Sequence, residues 1–461
     1  MASTTLISGR LLIAVEKTGA DTIASQIQQI LNANDDFKSS ILSRGQKIVE
    51  RGAVPTIALS AFALPILGAQ SALAVLYASF GYNMKLAAPI GVLNFLRITS
   101  DHGILVKDGR SLEQLANVDT IVFDKTGTLT EDEPSVGQIY TVDGVQEDEL
   151  LAYAAAAEHK QTHPIARAIL REAQLRELPI PAIESAEYEL GYGLKVHLAT
   201  DNVRPKIVRV GSARFMEMCH VNIAPSFQTL SEEDNGGTFI YIALGTHVIG
   251  VIELVPTIRP EAYAITNELR QRNIRTIIIS GDHHKPTATL ANKLGIDDYF
   301  AEVLPQDKAK LVEQLQAEGR SVCFIGDGIN DSIALKTAEV GISLSGASSI
   351  ATDTASIILM DGTLKRLLDL LDVAQELDTN LTRSSLLTTI PGVAAMSGVF
   401  FFSLGLVGSI MFFNIAMASS ILNAFTPLIK HQHKLSSQIE IDRSVDVIDG
   451  GIDPHLSKGN K

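Results

Sequence analysis

Thr120-Ile121-Val122-Phe123-Asp124-Lys125-Thr126-Gly127-Thr128-Leu129-Thr130 is the stretch whose reading decides the fold. A short apolar, β-rich run, Thr120 to Phe123, ends abruptly in Asp124. Such a run reads as a parallel strand buried on both faces. Open α/β sheets bind ligands at the carboxyl ends of their strands, which puts Asp124 in the crevice. Lys125, Thr126, Gly127 and Thr128 then offer a cation, two hydroxyls and a flexible backbone, a set suited to phosphate. A carboxylate so placed can attack a phosphoryl group and become an aspartyl-phosphate.

The design recurs twice. Arg275 to Ile279 is an apolar run that ends in Ser280-Gly281-Asp282, and Ser321 to Ile325 ends in Gly326-Asp327-Gly328-Ile329-Asn330-Asp331. One such Asp alone reads as a turn residue. Three, after three strands of buried type, read as one site. Carboxylates clustered beside phosphate imply Mg²⁺, which takes one or two carboxylates together with phosphate oxygens and water.

These motifs carry a resemblance. Asp124-Lys-Thr-Gly-Thr-Leu-Thr130 resembles the phosphorylation signature of P-type ATPases, on the haloacid-dehalogenase fold. Gly326 to Asp331 is similar to that family's Mg²⁺ loop, and Ser280-Gly281-Asp282 to its Thr-Gly-Asp, with Ser keeping the hydroxyl. Lys308, in Leu-Pro-Gln-Asp-Lys, matches the phosphate-facing lysine. The resemblance implies ATP and Mg²⁺ as cofactors. Asp124 would be the nucleophile, and Asp124, the Thr126 carbonyl, Asp327 and Asp331 the Mg²⁺ set. Lys125, Thr126, Ser280, Gly281, Asp282 and Lys308 would surround the transferred phosphoryl.

The 461 residues are 46% hydrophobic, with mean hydropathy +0.19, which allows several domains and membrane spans. A net charge of −14 argues against a nucleic-acid partner. Cys219 and Cys323 have no metal-ligand spacing and imply a reducing compartment without a disulfide framework. Met1 to Glu16 has no secretory pattern, and no P-loop signature appears.

The expected fold is multi-domain α/β with membrane helices: a Rossmann-like phosphorylation domain, an inserted α+β nucleotide-binding domain and two transmembrane helix pairs. Residues 1–51 read as the last part of an actuator domain (a strand over Gly9 to Glu16, a helix from Asp21) and a linker helix. Residues 52–98 form one helix pair, turning near Gly68-Ala69-Gln70, with Lys85 the one charge between Gly52 and Leu96. Residues 99–133 and 250–383 make the phosphorylation domain and 134–249 the insert. Residues 384–429 form a second, uncharged pair that turns near Gly405 to Ser409, and 430–461 a loosely ordered polar tail. Spans need about 20 apolar residues each. Lys38, Arg44, Lys47, Arg51, Lys430 and Lys434 put the flanking ends, and hence the catalytic loop, in the cytoplasm, with the cell membrane the expected location.

In the insert, Glu158-His-Lys-Gln-Thr-His163-Pro and Gly191-Tyr-Gly193 resemble the nucleotide site of the heavy-metal branch. That resemblance implies that Glu158 and His163 flank adenine, while Gly191 and Gly193 admit the nucleotide to the backbone. The branch's Cys-Pro-Cys falls on Phe80, Gly81 and Tyr82, so its soft thiolates are missing and Cu(I) loses its basis. Asn83, Met84, Met417, Ser419, Ser420 and Asn423 remain as ion-ligand candidates, against a role as helix glue. Lys85 either faces the ion site or reaches water. Pro256 stands where the family's hinge has Asp, which implies a stiffer hinge.

Two classes of function follow. One is a P-type ATPase that couples aspartyl-phosphate formation to transport of a heavy-metal cation across a bilayer. The actuator motif Thr-Gly-Glu and the first membrane helices would lie upstream. The other is a membrane-anchored phosphatase or ATP-responsive regulator without transport. A split pump, with the actuator domain on a second polypeptide, is a third arrangement.

Overall fold

The structure, a computed structural model, describes residues 43–449 except 80–81, 132, 190–192, 200–205, 228–237, 327–330 and 345–353. The strand over Gly9 to Glu16 and the helix from Asp21 lie outside these residues. The chain divides into two compact units, Met1–Val118 with Glu339–Ser345 and Ala355–Lys461, and Asp119–Ala338 with Gly346–Thr354.

The first unit opens with α1 (Ser43–Leu67), α2 (Ala69–Tyr77), α3 (Met84–Asp101), β1 (Ile104–Val106) and α4 (Gly109–Leu115). α1 and α2 fold back on each other at Gly68, where the sequence places the turn. Ser60 Oγ donates to the Ala72 carbonyl at 2.9 Å across this hairpin. The returning arm is broken between Tyr77 and Met84 and resumes as α3. The missing Cys-Pro-Cys would sit at that break.

The second unit begins with β2 (Thr120–Asp124), β3 (Ser135–Thr141), α5 (Glu147–Glu158), α6 (Pro164–Leu175), β4 (Ile183–Glu189), β5 (Gly193–Leu198) and β6 (Lys206–Gly211). It continues through α7 (Ala213–Met218), β7 (Thr238–Leu244), β8 (His247–Val255), α8 (Pro260–Gln271), β9 (Arg275–Ile279) and α9 (His284–Leu294). β10 (Asp298–Phe300), α10 (Pro305–Ala317), β11 (Val322–Gly326) and α11 (Ser332–Thr337) complete it. Four strands run parallel in the order β11-β2-β9-β10, with Asp124 beside Ile279 and Phe123 between Ile325 and Ile278. Ile121, Val122 and Phe123 are wholly buried, which stabilises by about 1.5–3 kcal/mol per side chain.

The insert is a six-stranded antiparallel sheet, β3-β8-β7-β6-β5-β4. β8 pairs with β3 as far as Val255 and with β7 as far as Leu254, so the sheet runs past the boundary drawn at 249. β5 alternates half-buried and buried residues, the pattern of a sheet with one covered face. The small residues Ala154 to Ala157 let α5 lie close against that face.

The chain returns to the first unit with β12 (Val340–Leu344), β13 (Ile357–Leu359), α12 (Leu367–Phe402) and α13 (Leu406–Asp449). β13 runs antiparallel to β1 and parallel to β12. Leu367–Phe402 and Leu406–His433 are long and apolar enough to cross a membrane. Their turn lies at Ser403, in the left-handed conformation, just ahead of the expected position. α13 stays helical to Asp449, so the tail expected to be loose from His431 is helical that far. Phe401, Phe402, Val407 and Leu422 are outward and exposed, a surface that lipid tolerates and water does not.

Inward, the helices are joined by amides. Asn83 Nδ2 donates to the Phe413 carbonyl at 3.2 Å and Asn94 Nδ2 to the Ala424 carbonyl at 2.9 Å. Asn380 and Asn423 donate to each other's backbone carbonyl at 2.9 and 3.0 Å, and Asn423 Nδ2 also reaches Ser384 Oγ at 2.8 Å. Alanine at 380 and at 423 should therefore cost less together than the sum of the single changes. The expected coupling is about 1 kcal/mol in a double-mutant cycle of thermal unfolding in detergent. Strictly additive costs would show that the pair does not join α12 to α13.

Candidate active site

Asp124 ends β2 on the edge of the crevice and is 6% exposed. The chain then turns sharply. Thr126 leaves helical geometry, and Gly127 has φ 73°, a conformation that costs glycine little and other residues more. The Thr130 amide and hydroxyl both donate to the Lys125 carbonyl, at 3.1 and 3.2 Å, and close the loop.

Lys308 joins this loop to the Mg²⁺ motif. It lies in the first turn of α10, which Pro305 starts. Its Nζ donates to Asp124 Oδ1 at 2.5 Å and to Asp331 Oδ1 at 2.6 Å, with all three residues buried. Burial pulls the Lys308 pKa down, but the Asp124 and Asp331 carboxylates outweigh it, and the net shift is upward. Lys308 therefore keeps its charge.

Ser280, also buried, sits beyond Ile279, the partner of Asp124. Its Oγ accepts from the Asp282 amide at 3.1 Å, leaving the hydroxyl proton to donate elsewhere. Lys125, the expected phosphate cation, is buried and ion-paired with Asp282. The cation in contact with Asp124 is Lys308, and Lys125 ties the loop of β2 to the loop of β9. Thr126 is exposed, and Thr128 Oγ1 is buried without a hydrogen-bond partner. Asp327 lies outside the described residues.

The donor chemistry fits Mg²⁺. Asp124 and Asp331 supply hard carboxylate oxygens and Thr126 a carbonyl, with no sulfur or imidazole between them. Among the described residues no three His, Cys, Asp or Glu side chains form a metal cluster. Mg²⁺ does not require one, since substrate phosphate and water complete its octahedron.

In the insert, Glu158 closes α5 and is 4% exposed. Burial alone raises its pKa to about 7. Its Oε2 lies 3.2 Å from His163 Nε2, off the line of a hydrogen bond, and has no hydrogen-bond partner. A buried, unsatisfied carboxyl is what a donor such as an adenine amino group would complete, so these residues fit a nucleotide. His163 is the N-cap of α6. Its Nδ1 accepts from the Ala166 amide at 3.2 Å, which places the proton of the neutral ring on Nε2. Burial, aided by the charge of Arg167, lowers its pKa.

Gly193 has a packing reason to be glycine. A Cβ there would overlap the Phe215 ring of α7. Gly191 lies outside the described residues.

The ion candidates divide. Asn83 and Met84 are buried, and Asn423 joins Asn380 and Ser384. Ser419 and Ser420 donate back to the Ala416 and Met417 carbonyls of their own helix at 3.1 and 3.0 Å. Lys85 is exposed, with Nζ 5.2 Å from the centre of the Tyr82 ring. It therefore points away from buried Asn83 and Met84.

Sequence reasoning missed Asn380, just ahead of the uncharged run, Ser384, at its start, and Arg259, whose guanidinium reaches the Gly127 carbonyl at 2.9 Å.

Glu158 makes stability depend on pH. Its folded pKa, about 7, exceeds the ordinary 4.5, so the folded state binds the extra proton between those values. Stability should fall by roughly 3 kcal/mol as pH rises from about 4.5 to above 7. Glu158→Gln should flatten that part of a denaturation-against-pH profile. Parallel profiles for variant and parent would show that Glu158 titrates normally.

Residues 118–339 match the haloacid dehalogenase-like hydrolase family. The chain is 30% identical over 385 residues to "Probable copper-exporting P-type ATPase V" of Mycobacterium tuberculosis (strain CDC 1551 / Oshkosh), covering 81% of this chain and 49% of that protein. It is 33% identical over 358 residues to the "Zinc-exporting P-type ATPase" of Mycobacterium marinum (strain ATCC BAA-535 / M), covering 76% and 48%. The chain thus spans about half the length of the curated relatives it matches. A crystal structure of a zinc-transporting PIB-type ATPase in the E2.Pi state superposes with a TM-score of 0.70 at 27% identity, covering 89% of this chain and 68% of that one. Motifs, relatives and fold agree: over the aligned residues the chain is a relative of the heavy-metal P-type ATPases, with a haloacid dehalogenase-like hydrolase domain at residues 118–339.

Proposed function

We propose that this chain takes the γ-phosphoryl group of ATP onto Asp124, in the service of moving a metal cation across the cell membrane. The observation that carries the reading is Lys308, buried between Asp124 and Asp331 at the carboxyl end of a parallel sheet. A carboxylate oxygen of Asp124 bonds to the γ-phosphorus. The bond to the β,γ-bridging oxygen breaks, its electron pair leaves with ADP, and an acyl phosphate remains. Lys308 offsets the charge gathered on the phosphoryl oxygens, and the Ser280 hydroxyl donates to one of them. Asp124, the Thr126 carbonyl and Asp331, with Asp327, would hold Mg²⁺, which supplies further charge neutralisation on the phosphate oxygens. Glu158 and His163 hold the adenine, so that binding energy far from phosphorus orients the reacting atoms.

The catalytic loop faces the cytoplasm in this reading, with Arg51, Arg97, Arg383 and Lys430 at the membrane border. The relatives' names give copper in one case and zinc in another, so they do not choose the ion. With no thiolate at Phe80, Gly81 or Tyr82, the oxygen donors of Asn83, Ser419, Ser420 and Asn423 favour a cation harder than Cu(I), against the softer thioethers of Met84 and Met417.

Labelling decides the reading. Mg-ATP labelled at the γ position should yield a hydroxylamine-sensitive phosphoprotein from the parent and none from Asp124→Asn. Equal labelling of the two would move the nucleophile elsewhere. His163→Ala should weaken labelling from ATP at least tenfold, yet leave labelling from acetyl phosphate near the parent rate. Equal failure with both donors would make His163 only the cap of α6.

A further inference from the structure

We infer that Arg259 is a positioning residue for phosphoryl transfer to Asp124, holding the loop that carries the nucleophile through the Gly127 carbonyl. The inference rests on the acyl-phosphate reading above for its consequence, but not for its geometry.

The loop needs such a hold. Between Asp124 and Thr130 it has no strand partner, and its middle leaves helical geometry at Thr126 and Gly127. Arg259 is well placed to supply one. The two crossings between the parallel sheet and the insert lie side by side: Thr130 bridges Ile258 in antiparallel fashion, and the Glu131 amide donates to the Thr257 carbonyl at 2.8 Å. The Arg259 amide continues this short ladder by donating to the Leu129 carbonyl at 3.0 Å. From the same residue the guanidinium Nη2 reaches back to the Gly127 carbonyl at 2.9 Å. One residue thus grips the loop by backbone and by side chain, two positions apart.

Arg259 is itself fixed. Pro260 opens α8 and confines the residue before it to an extended conformation, here φ −59° and ψ 130°. The side chain is largely buried, with Nη1 4.0 Å from Glu261 Oε1. A planar guanidinium holds a carbonyl in a set direction, which a lysine ammonium does not reproduce. Because the ladder joins loop and insert, Arg259 also sets Asp124 relative to the domain that holds the nucleotide. A misplacement of about 1 Å at the reacting atoms costs about 100-fold in rate.

Three measurements on the full chain test this. Hydrogen exchange should quicken in the 124–131 segment of Arg259→Met while the insert strands stay protected. Labelling should slow by about 10- to 100-fold from ATP and acetyl phosphate alike, with nucleotide affinity within about twofold of the parent. Millimolar guanidinium should recover part of the Arg259→Met rate, which repair of a merely destabilised fold would not do. Unchanged exchange in 124–131, or labelling at the parent rate, would overturn the inference, as would slowing confined to ATP. A parent chain that never labels would sink the functional reading instead. Exchange would then still decide whether Arg259 holds the loop.

Discussion

The structure turns on one buried cation between two buried carboxylates. Asp124 ends β2 and Asp331 stands at the start of α11, beyond the neighbouring strand β11, and Lys308 donates to both carboxylates. In the proposed reaction the same charge would face the incoming phosphoryl group. Removing one member of such a buried set leaves an uncompensated charge, at a cost of about 3–5 kcal/mol. The parallel order β11-β2-β9, the start of α10 at Pro305 and the turn after Asp124 all serve to bring these three groups together.

The insert solves a different problem with different means. Its antiparallel sheet covers one face with α5 and α6 and needs no carboxylate at its strand ends. Among its described residues Glu158 is buried without a hydrogen-bond partner for Oε2, which is unfavourable until a donor meets it. The short ladder at Thr130 and Ile258 connects the insert to the loop that carries Asp124. In the proposed function, nucleotide affinity and acyl-phosphate chemistry are thus separable in residues but joined mechanically.

In the helical part, amides do what thiolates do in the usual heavy-metal pattern: they interrupt an apolar interior with groups that demand partners. Here the partners are largely other helices, through Asn83, Asn94, Asn380 and Asn423. Asn423 therefore serves helix packing whatever else it binds. Lys85, the one charge in the first apolar run, lies outward against Tyr82 and leaves that interior neutral.

The sequence by itself determined the three strands, their order of motifs, the insert and the apolar helices. Each is written locally, as an apolar run that stops at a carboxylate or as a long run without charge. Partners were not legible. That Lys125 belongs to Asp282, 157 residues away, while Lys308 takes Asp124 from 184 residues away, is decided by which strands lie side by side. The family resemblance made His163 and Gly193 ligand-facing. Only packing showed that His163 also caps α6 and that Gly193 makes room for Phe215. The pairing of Asn380 with Asn423 likewise needed two helices set in register. The physical reason is common to all: a side chain's type and period are properties of the chain, but its partner depends on which distant segment the fold brings within about 3 Å.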